Sequence, residues 1–382
     1  MNNSSWTPHT IAAAALLCFG TTINSLCFQH VSNSAPQYFF VIGIFSPLVG
    51  FLFYFSLIVV GQLSGTQTPS QLTQPRVVVA LKYSVMIGSC FAVTNLLTNY
   101  GQSGRTAGVP DVSTVLTLIL LKLVVPVSLA LESLFEQRHP THWELSGVTI
   151  LLVGIIFTGL INSDSDTNNN NDSSNDISSN NSKSAQYRLK IICLCLASVP
   201  LSMGFYIVKV TRRKLPQLTG TELWAILCIP EVVLAVMLSH FAWQSSTHLT
   251  DGLMCVLVGH SNNSTTTTDG SNDDNIDANN CQQAAFYYWL GLPFAFVFNL
   301  CIPFLIQSKG STSVPPFRAL ALPLSTLIAM TDMVDRVIQT PFSWDAVFGV
   351  VVSTIGLLVF YGTDIQKLVK GHYRSVPNNV LV

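Results

Sequence analysis

VPDVSTVLTLILLKLVVPVSLALESLFEQRHPTHWELSGVTILLVGIIFTGLI, residues 109–161, holds two apolar segments separated by a short polar turn. The first opens at Val109-Pro110-Asp111, and the second at Trp143-Glu144, punctuated by Gly147 and Gly154. The same order returns later: Val314-Pro315-Pro316 opens one apolar segment, and Trp344-Asp345 opens another, punctuated by Gly349 and Gly356. Both copies pair an aromatic residue with an acid and then place two glycines seven residues apart. The step from tryptophan to the first glycine differs by one residue, which marks a diverged duplication. Internal repetition decides the architecture before any single motif does. The chain reads as two halves of one design.

Composition states what kind of halves they are. Hydrophobic residues make up 49% of the 382, charged residues only 10%, and mean hydropathy is +0.47. Soluble domains carry roughly a quarter charged residues. About 20 apolar residues cross the roughly 30 Å of bilayer hydrocarbon. Ten such stretches can be read, at about 10–28, 38–60, 78–98, 112–135, 143–161, 189–209, 221–243, 285–307, 316–334 and 344–362. The first lacks the basic leader and cleavage site of a signal peptide. A net charge of −1 gives no footing for a nucleic-acid partner. The expected fold is therefore an all-α polytopic membrane protein. Its ten transmembrane helices form two five-helix repeats, 1–161 and 187–365, joined by an Asn/Ser-rich linker at 162–186 and followed by a tail at 366–382. An odd number of spans per half inverts the second half, which is the build of many secondary transporters.

Orientation follows from the basic residues. A cytosolic amino terminus places Arg76, Lys82, Arg138, Lys209, Arg212, Arg213, Lys214, Lys309, Arg318, Lys367, Lys370 and Arg374 on or beside the cytosolic face. Fewer, including Arg105, Lys183, Arg188, Lys190 and Arg336, fall opposite, which obeys the positive-inside rule. Both termini are then cytosolic, and the linker and the loop at 244–284 are lumenal. The linker offers almost nothing apolar to bury and reads as disordered. Glycosylation patterns occur in these lumenal stretches at Asn171, Asn180, Asn262 and Asn263. Cys255 and Cys281 share the lumenal loop, in a compartment that permits disulfides. A bridge is expected; the alternative is two unpaired thiols.

Most polar residues in the spans have structural readings. Pro47, Pro126, Pro200, Pro293 and Pro303 bend helices. Lys82, Glu132 and Glu136 lie near the cytosolic boundary, where side chains snorkel to water. Asp332 and Arg336 are spaced to pair along one helix. Lys122 and Glu231 differ, each about ten residues into its span and so about 15 Å deep. A charge near the midplane must face a partner or water. The two either form part of a transport site between the halves or make a buried ion pair that fixes packing. Asn24, Asn95 and Asn299 would each serve singly as helix–helix hydrogen bonds, and as a set suggest a polar cavity. No phosphate loop, metal-spaced cluster or nucleophile elbow is present, so neither an enzyme nor a bound cofactor is expected.

The doubled five-span pattern closing on a Trp/acid–Gly–Gly helix resembles the drug/metabolite transporter superfamily, and within it the chloroquine-resistance-transporter-like family. The likeness is carried by Thr22-Ile23-Asn24-Ser25, by Arg105-Thr106-Ala107-Gly108 leading into Val112-Ser113-Thr114-Val115-Leu116, by the cysteine-bearing loop, and by Ala321-Leu322-Pro323-Leu324-Ser325 through Gly349. It implies a ten-helix carrier in a vacuolar, lysosomal or plastid-type membrane. Such carriers are associated with proton-coupled export of cationic drugs, amino acids, peptides or glutathione-like thiols. The best-known relatives carry four cysteines in the lumenal loop, whereas this chain has two there.

The expected mechanism is alternating access around Glu231 and Lys122, with protons and a small solute as partners besides the lipid bilayer. Tyr373 and Val376 in the tail look like a tyrosine-based endosomal sorting signal. Rival readings are a nucleotide-sugar or organophosphate exchanger, for which Lys122 is the only deep basic residue, and a non-transporting membrane scaffold.

Overall fold

A computed structural model describes residues 7–34, 39–65, 74–102, 120, 123–167, 177–242, 252–260, 273–309, 313–329 and 344–362. They form α1 (Pro8–Ser34), α2 (Phe39–Leu63), α3 (Gln74–Gln102), α4 (Val124–Glu136), α5 (His142–Thr167), α6 (Ile177–Lys214), α7 (Gly220–Ala242), α8 (Asp273–Lys309), α9 (Val314–Ala329) and α10 (Trp344–Phe360). A π-helical turn, Met254–Val258, precedes α8. No strand occurs among the described residues. Helices suit this composition because lipid offers no partner for a backbone amide, and a helix satisfies its own. Six of them, α1–α3 and α6–α8, are long and apolar enough to cross a membrane. Large apolar side chains such as Phe19, Leu52, Ile192 and Met237 point outward from them, as lipid-facing residues do.

The paired glycines of the sequence meet in space. A Cβ on Gly147 would collide with the backbone nitrogen of Phe360, and one on Gly356 would lie 2.5 Å from that of Leu151. One on Gly154 would lie 2.7 Å from the nitrogen of Ser353 and 3.0 Å from the carbonyl of Gly349. The partners run in opposite directions, so α5 and α10 are antiparallel and touch backbone to backbone. Small residues permit that approach, and dispersion at close range holds it where no hydrophobic effect operates. The other extensive pairings are α1 with α8, α3 with α6 and α7, and α2 with α7. Gly88 makes the α3–α7 contact, where an added Cβ would meet the Pro230 ring at 2.8 Å and the Leu227 carbonyl at 2.9 Å.

One end of the bundle is tied by ions. Lys209 on α6 donates to Glu132 at 2.6 Å and to Glu136 at 3.0 Å, both on α4. Arg213 completes Glu136 at 2.9 Å, and Arg138 bridges Glu132 to Glu144 at the start of α5. Glu144 also caps its helix with Thr141: each side chain bonds the other's backbone N–H, at 2.8 and 3.2 Å. Thr219 and Glu222 repeat this box on α7. Arg212 reaches the Leu218 carbonyl and Gln307, tying α6 to the turn before α7 and to α8.

Several sequence expectations change here. Glu132 and Glu136 do not snorkel: Glu132 is buried, because facing cations on α6 and the α4–α5 turn neutralise it more completely than interfacial water. Lys82 is exposed, as a snorkelling side chain is. Pro126 lies in the first turn of α4, which begins at Val124 after a turn at Leu123. The linker read as disordered at 162–186 is helical at both ends, since α5 runs to Thr167 and α6 starts at Ile177. Extending an existing helix avoids the nucleation cost, so polar residues can follow an apolar core. The loop at 244–284 likewise contains the π turn and the first turns of α8. There Cys255 and Cys281 are placed as a disulfide, S–S 2.00 Å, and Trp289 Nε1 donates to the Leu257 carbonyl at 3.0 Å. Asp332 and Arg336 lie outside the described residues.

Two outcomes are expected. Lys209→Met leaves Glu132 and Glu136 short of a cation, at a cost of about 3–5 kcal/mol for breaking a buried pair. Thermal unfolding in detergent should fall by several degrees, and adding Glu132→Gln should restore part of the loss. Gly356→Leu should disrupt the α5–α10 contact and collapse the monodisperse peak in size-exclusion chromatography, whereas Gly65→Asn, a residue that tolerates the left-handed φ of 69° at a turn with open space around it, should leave that peak intact.

Candidate functional site

A cavity of about 340 Å³ lies between α1, α2, α3, α6, α7, α8 and α9. From α1 only the second half lines it, Asn24 to Val31; from α2 the first half, Gly43 to Tyr54; from α3 the last part, Phe91 to Thr98. On these three helices the cavity lines the half opposite the ion-pair network, and at Phe205 of α6 it reaches to one turn from Lys209.

Glu231 sits in its wall, on α7 immediately after Pro230, and is buried. Asn95 Nδ2 on α3 donates to Glu231 Oε1 at 2.9 Å, which orients the carboxylate. Gly88, two turns earlier on α3, lets α3 approach α7 closely enough for that bond to form. The proline also lacks the N–H that would bond one turn back, so α7 is locally weakened beside its acidic residue.

Aromatic side chains floor the cavity. Trp224 stacks on Phe91 at 5.8 Å between ring centres and lies 6.3 Å from Tyr54, and its Nε1 donates to the Asn299 carbonyl at 2.7 Å. Phe296 packs against Phe53 at 4.4 Å and Tyr54 at 5.7 Å. Arg318 closes the deep end, its guanidinium 5.6 Å from the Phe205 ring centre and 5.4 Å from that of Phe298. The rings attract the cation through their π faces. Trp224 and Glu231 are seven residues apart on α7, or about 10 Å at the helical rise. The cavity therefore has a cationic end and an acidic wall, separated by an aromatic floor.

Glu231, Asn24, Asn95 and Asn299, picked out separately from three apolar spans and a fourth, all line this one cavity. Lys122 lies outside the described residues, as do Asn171, Asn262, Asn263, Tyr373 and Val376; Asn180 lies on α6 with its side chain undescribed. The partner that the structure gives Glu231 is Asn95. Sequence reasoning missed Arg318, which it counted among the cytosolic-face cations. Its position, two residues into an apolar stretch, is what an interfacial arginine also shows. It missed Cys27 and Cys228 too, which line the cavity but look like ordinary apolar core residues in sequence.

A family model described as CRT-like, chloroquine-resistance transporter-like, matches residues 11–361. Among solved structures, a crystal structure described only as that of a protein superposes with a TM-score of 0.51 at 11% identity, covering 93% of this chain and 99% of its own. At that identity the likeness concerns the fold alone. No curated protein sequence matches the chain.

If the cavity is filled with water, its wall should be chemically accessible. In a background with Cys27→Ala and Cys228→Ala, Glu231→Cys should react with a small charged thiol reagent, and Leu227→Cys, at a fully buried packing position, should not.

Proposed function

The chain belongs to the CRT-like, chloroquine-resistance transporter-like family, and from that premise we propose that it is a proton-coupled secondary transporter of small solutes working by alternating access. Ten spans form two inverted five-helix repeats with both termini cytosolic, and the membrane is endosomal, lysosomal or vacuolar. The antiparallel meeting of α5 and α10 at their matched glycines supports the repeat, because an inverted pair of halves places equivalent helices face to face. The pairing of α1 with α8 and of α3 with α6 exchange under the same five-helix shift.

The observation that carries the functional reading is Glu231, buried on a cavity wall and held by Asn95. A carboxylate at the midplane is costly unless it faces water or a partner, and a proton or a substrate cation is the partner that would neutralise it. In the proposed orientation the ion-tied end is cytosolic and the cavity faces the lumen. Protonation from an acidic lumen neutralises Glu231, loosens its need for that wet environment and permits the halves to rock. Lys122, about ten residues into the fourth span, is the second charge of the proposed site and tunes the carboxylate. The solutes are cationic drugs, amino acids, peptides or glutathione-like thiols, seated on the aromatic floor. Glycans at Asn171, Asn180, Asn262 and Asn263 and an oxidised Cys255–Cys281 pair are the lumenal marks of this topology, and Tyr373 with Val376 directs sorting to the acidic compartment.

Arg318 favours a second reading. A guanidinium at the deep end of the cavity is the donor set that a phosphate or carboxylate takes, so a nucleotide-sugar or organophosphate exchanger has a basic residue besides Lys122. A membrane scaffold has no use for either charge.

Uptake into proteoliposomes separates these readings. A cation, peptide or thiol should move only under an imposed pH gradient, and Glu231→Gln, fixed in the neutral form, should retain exchange at equal pH while losing most of the gradient-driven accumulation. Unchanged pH dependence in that variant removes Glu231 from the coupling. Exchange of a nucleotide sugar without pH dependence, abolished by Arg318→Gln, establishes the exchanger instead.

A further inference from the structure

A second groove, of about 520 Å³, lies on the outside of the bundle between α3, α4 and α6. On α3 its wall is Tyr83, Met86 and Cys90, and on α6 it is Met203, Ile207 and Val210. Both sets follow helical spacing, so each is one continuous stripe. Phe135 of α4 stacks on Tyr206 at 5.1 Å and closes the third side. The one hydroxyl midway, that of Ser89, is spent on the Val85 carbonyl at 2.6 Å. The groove is therefore apolar along its length.

Each long wall ends in a lysine at the ion-tied end of the bundle. Lys82 lies one turn beyond Val85 and Met86 on the same face of α3, and Lys214 lies one turn beyond Val210 on α6. Both are exposed. The nearby carboxylates are already matched, since Glu132, Glu136 and Glu144 are paired with Lys209, Arg138 and Arg213. Lys214 instead donates to the hydroxyl of Tyr83 at 2.8 Å, and its ammonium lies 5.4 Å from that ring's centre. This holds it at the groove's mouth without neutralising it.

We propose that this groove binds one anionic phospholipid, with an acyl chain between the α3 and α6 stripes and its phosphate-bearing headgroup on Lys82 and Lys214. A surface that merely faces lipid needs no charge at one end, whereas paired cations at the interfacial end of an apolar groove complement the charge of an anionic headgroup. In the orientation proposed above, the headgroup is in the cytosolic leaflet, where anionic lipids concentrate. The site itself does not depend on that orientation or on transport.

The test is native mass spectrometry of the delipidated full-length protein, titrated with dioleoylphosphatidylserine or with dioleoylphosphatidylcholine. Phosphatidylserine should bind about tenfold more tightly or better, since each lysine near a headgroup contributes about fivefold. Lys82→Gln with Lys214→Gln should bring it down to the phosphatidylcholine level. Met86→Trp, which fills the groove, should weaken both lipids alike. Equal binding of the two lipids by the unmodified protein overturns the proposal, as does a preference that survives in the double variant. Should the double variant aggregate, Lys214→Arg against Lys214→Gln decides: the first must keep the preference and the second must lose about fivefold of it.

Discussion

The ammonium of Lys209, held between Glu132 and Glu136, joins α6 to α4 and with them the two halves of the chain. Three acids and three cations meet around it at one end of the bundle, and nothing comparable occurs among the described residues at the other end. The cavity begins one turn from this cluster, at Phe205. Where the helices are cross-linked they close, and beyond the last cross-link they part around Glu231 and the aromatic floor. Taking these charges from water is costly, and only their mutual neutralisation in good geometry makes the cost tolerable. Such a cluster adds little net stability over an apolar plug. What it does provide is a closure that can be undone by exchanging partners for water, which an apolar plug cannot do as cheaply.

Much of this architecture was legible in the sequence because lipid enforces simple rules. A run of apolar residues must be a helix, and glycines seven residues apart on one must sit against a neighbour's backbone; Gly147, Gly154, Gly349 and Gly356 do so. Glu231 was legible for a related reason, since a charge at that depth demands an explanation. Arg318 was not legible. Depth measured along the sequence assumes that every span starts at the membrane surface, and at α9 the helix start borders the cavity instead. Glu132 was hidden by the same assumption. Its distance from the helix end suited an interfacial residue, and only the position of α6 reveals Lys209 facing it. Sequence fixes depth and periodicity well, but which face of a helix meets which neighbour depends on packing between distant segments.

The cavity walls combine features that rarely coexist in a soluble core: an acid, an arginine, several amides and a dense set of rings within one space. Rings tolerate many ligand shapes because every flat or cationic group finds a favourable face. The polar groups at the edges, rather than the floor, then carry discrimination between solutes. In the proposed carrier this division would let the floor supply affinity and the charged ends supply choice.

Gly88 and Pro230 meet directly beside Glu231, a residue without a side chain against a residue without an amide proton. It is a close contact that uses no hydrogen bond of its own, next to the one that Asn95 makes to Glu231. Its evolutionary consequence is asymmetric. Almost any replacement at Gly88 inserts atoms into this contact and alters how α3 packs on α7, while leaving the residues that line the cavity unchanged. Changes in what such a carrier moves, and how fast, can therefore begin at a position with no chemistry of its own.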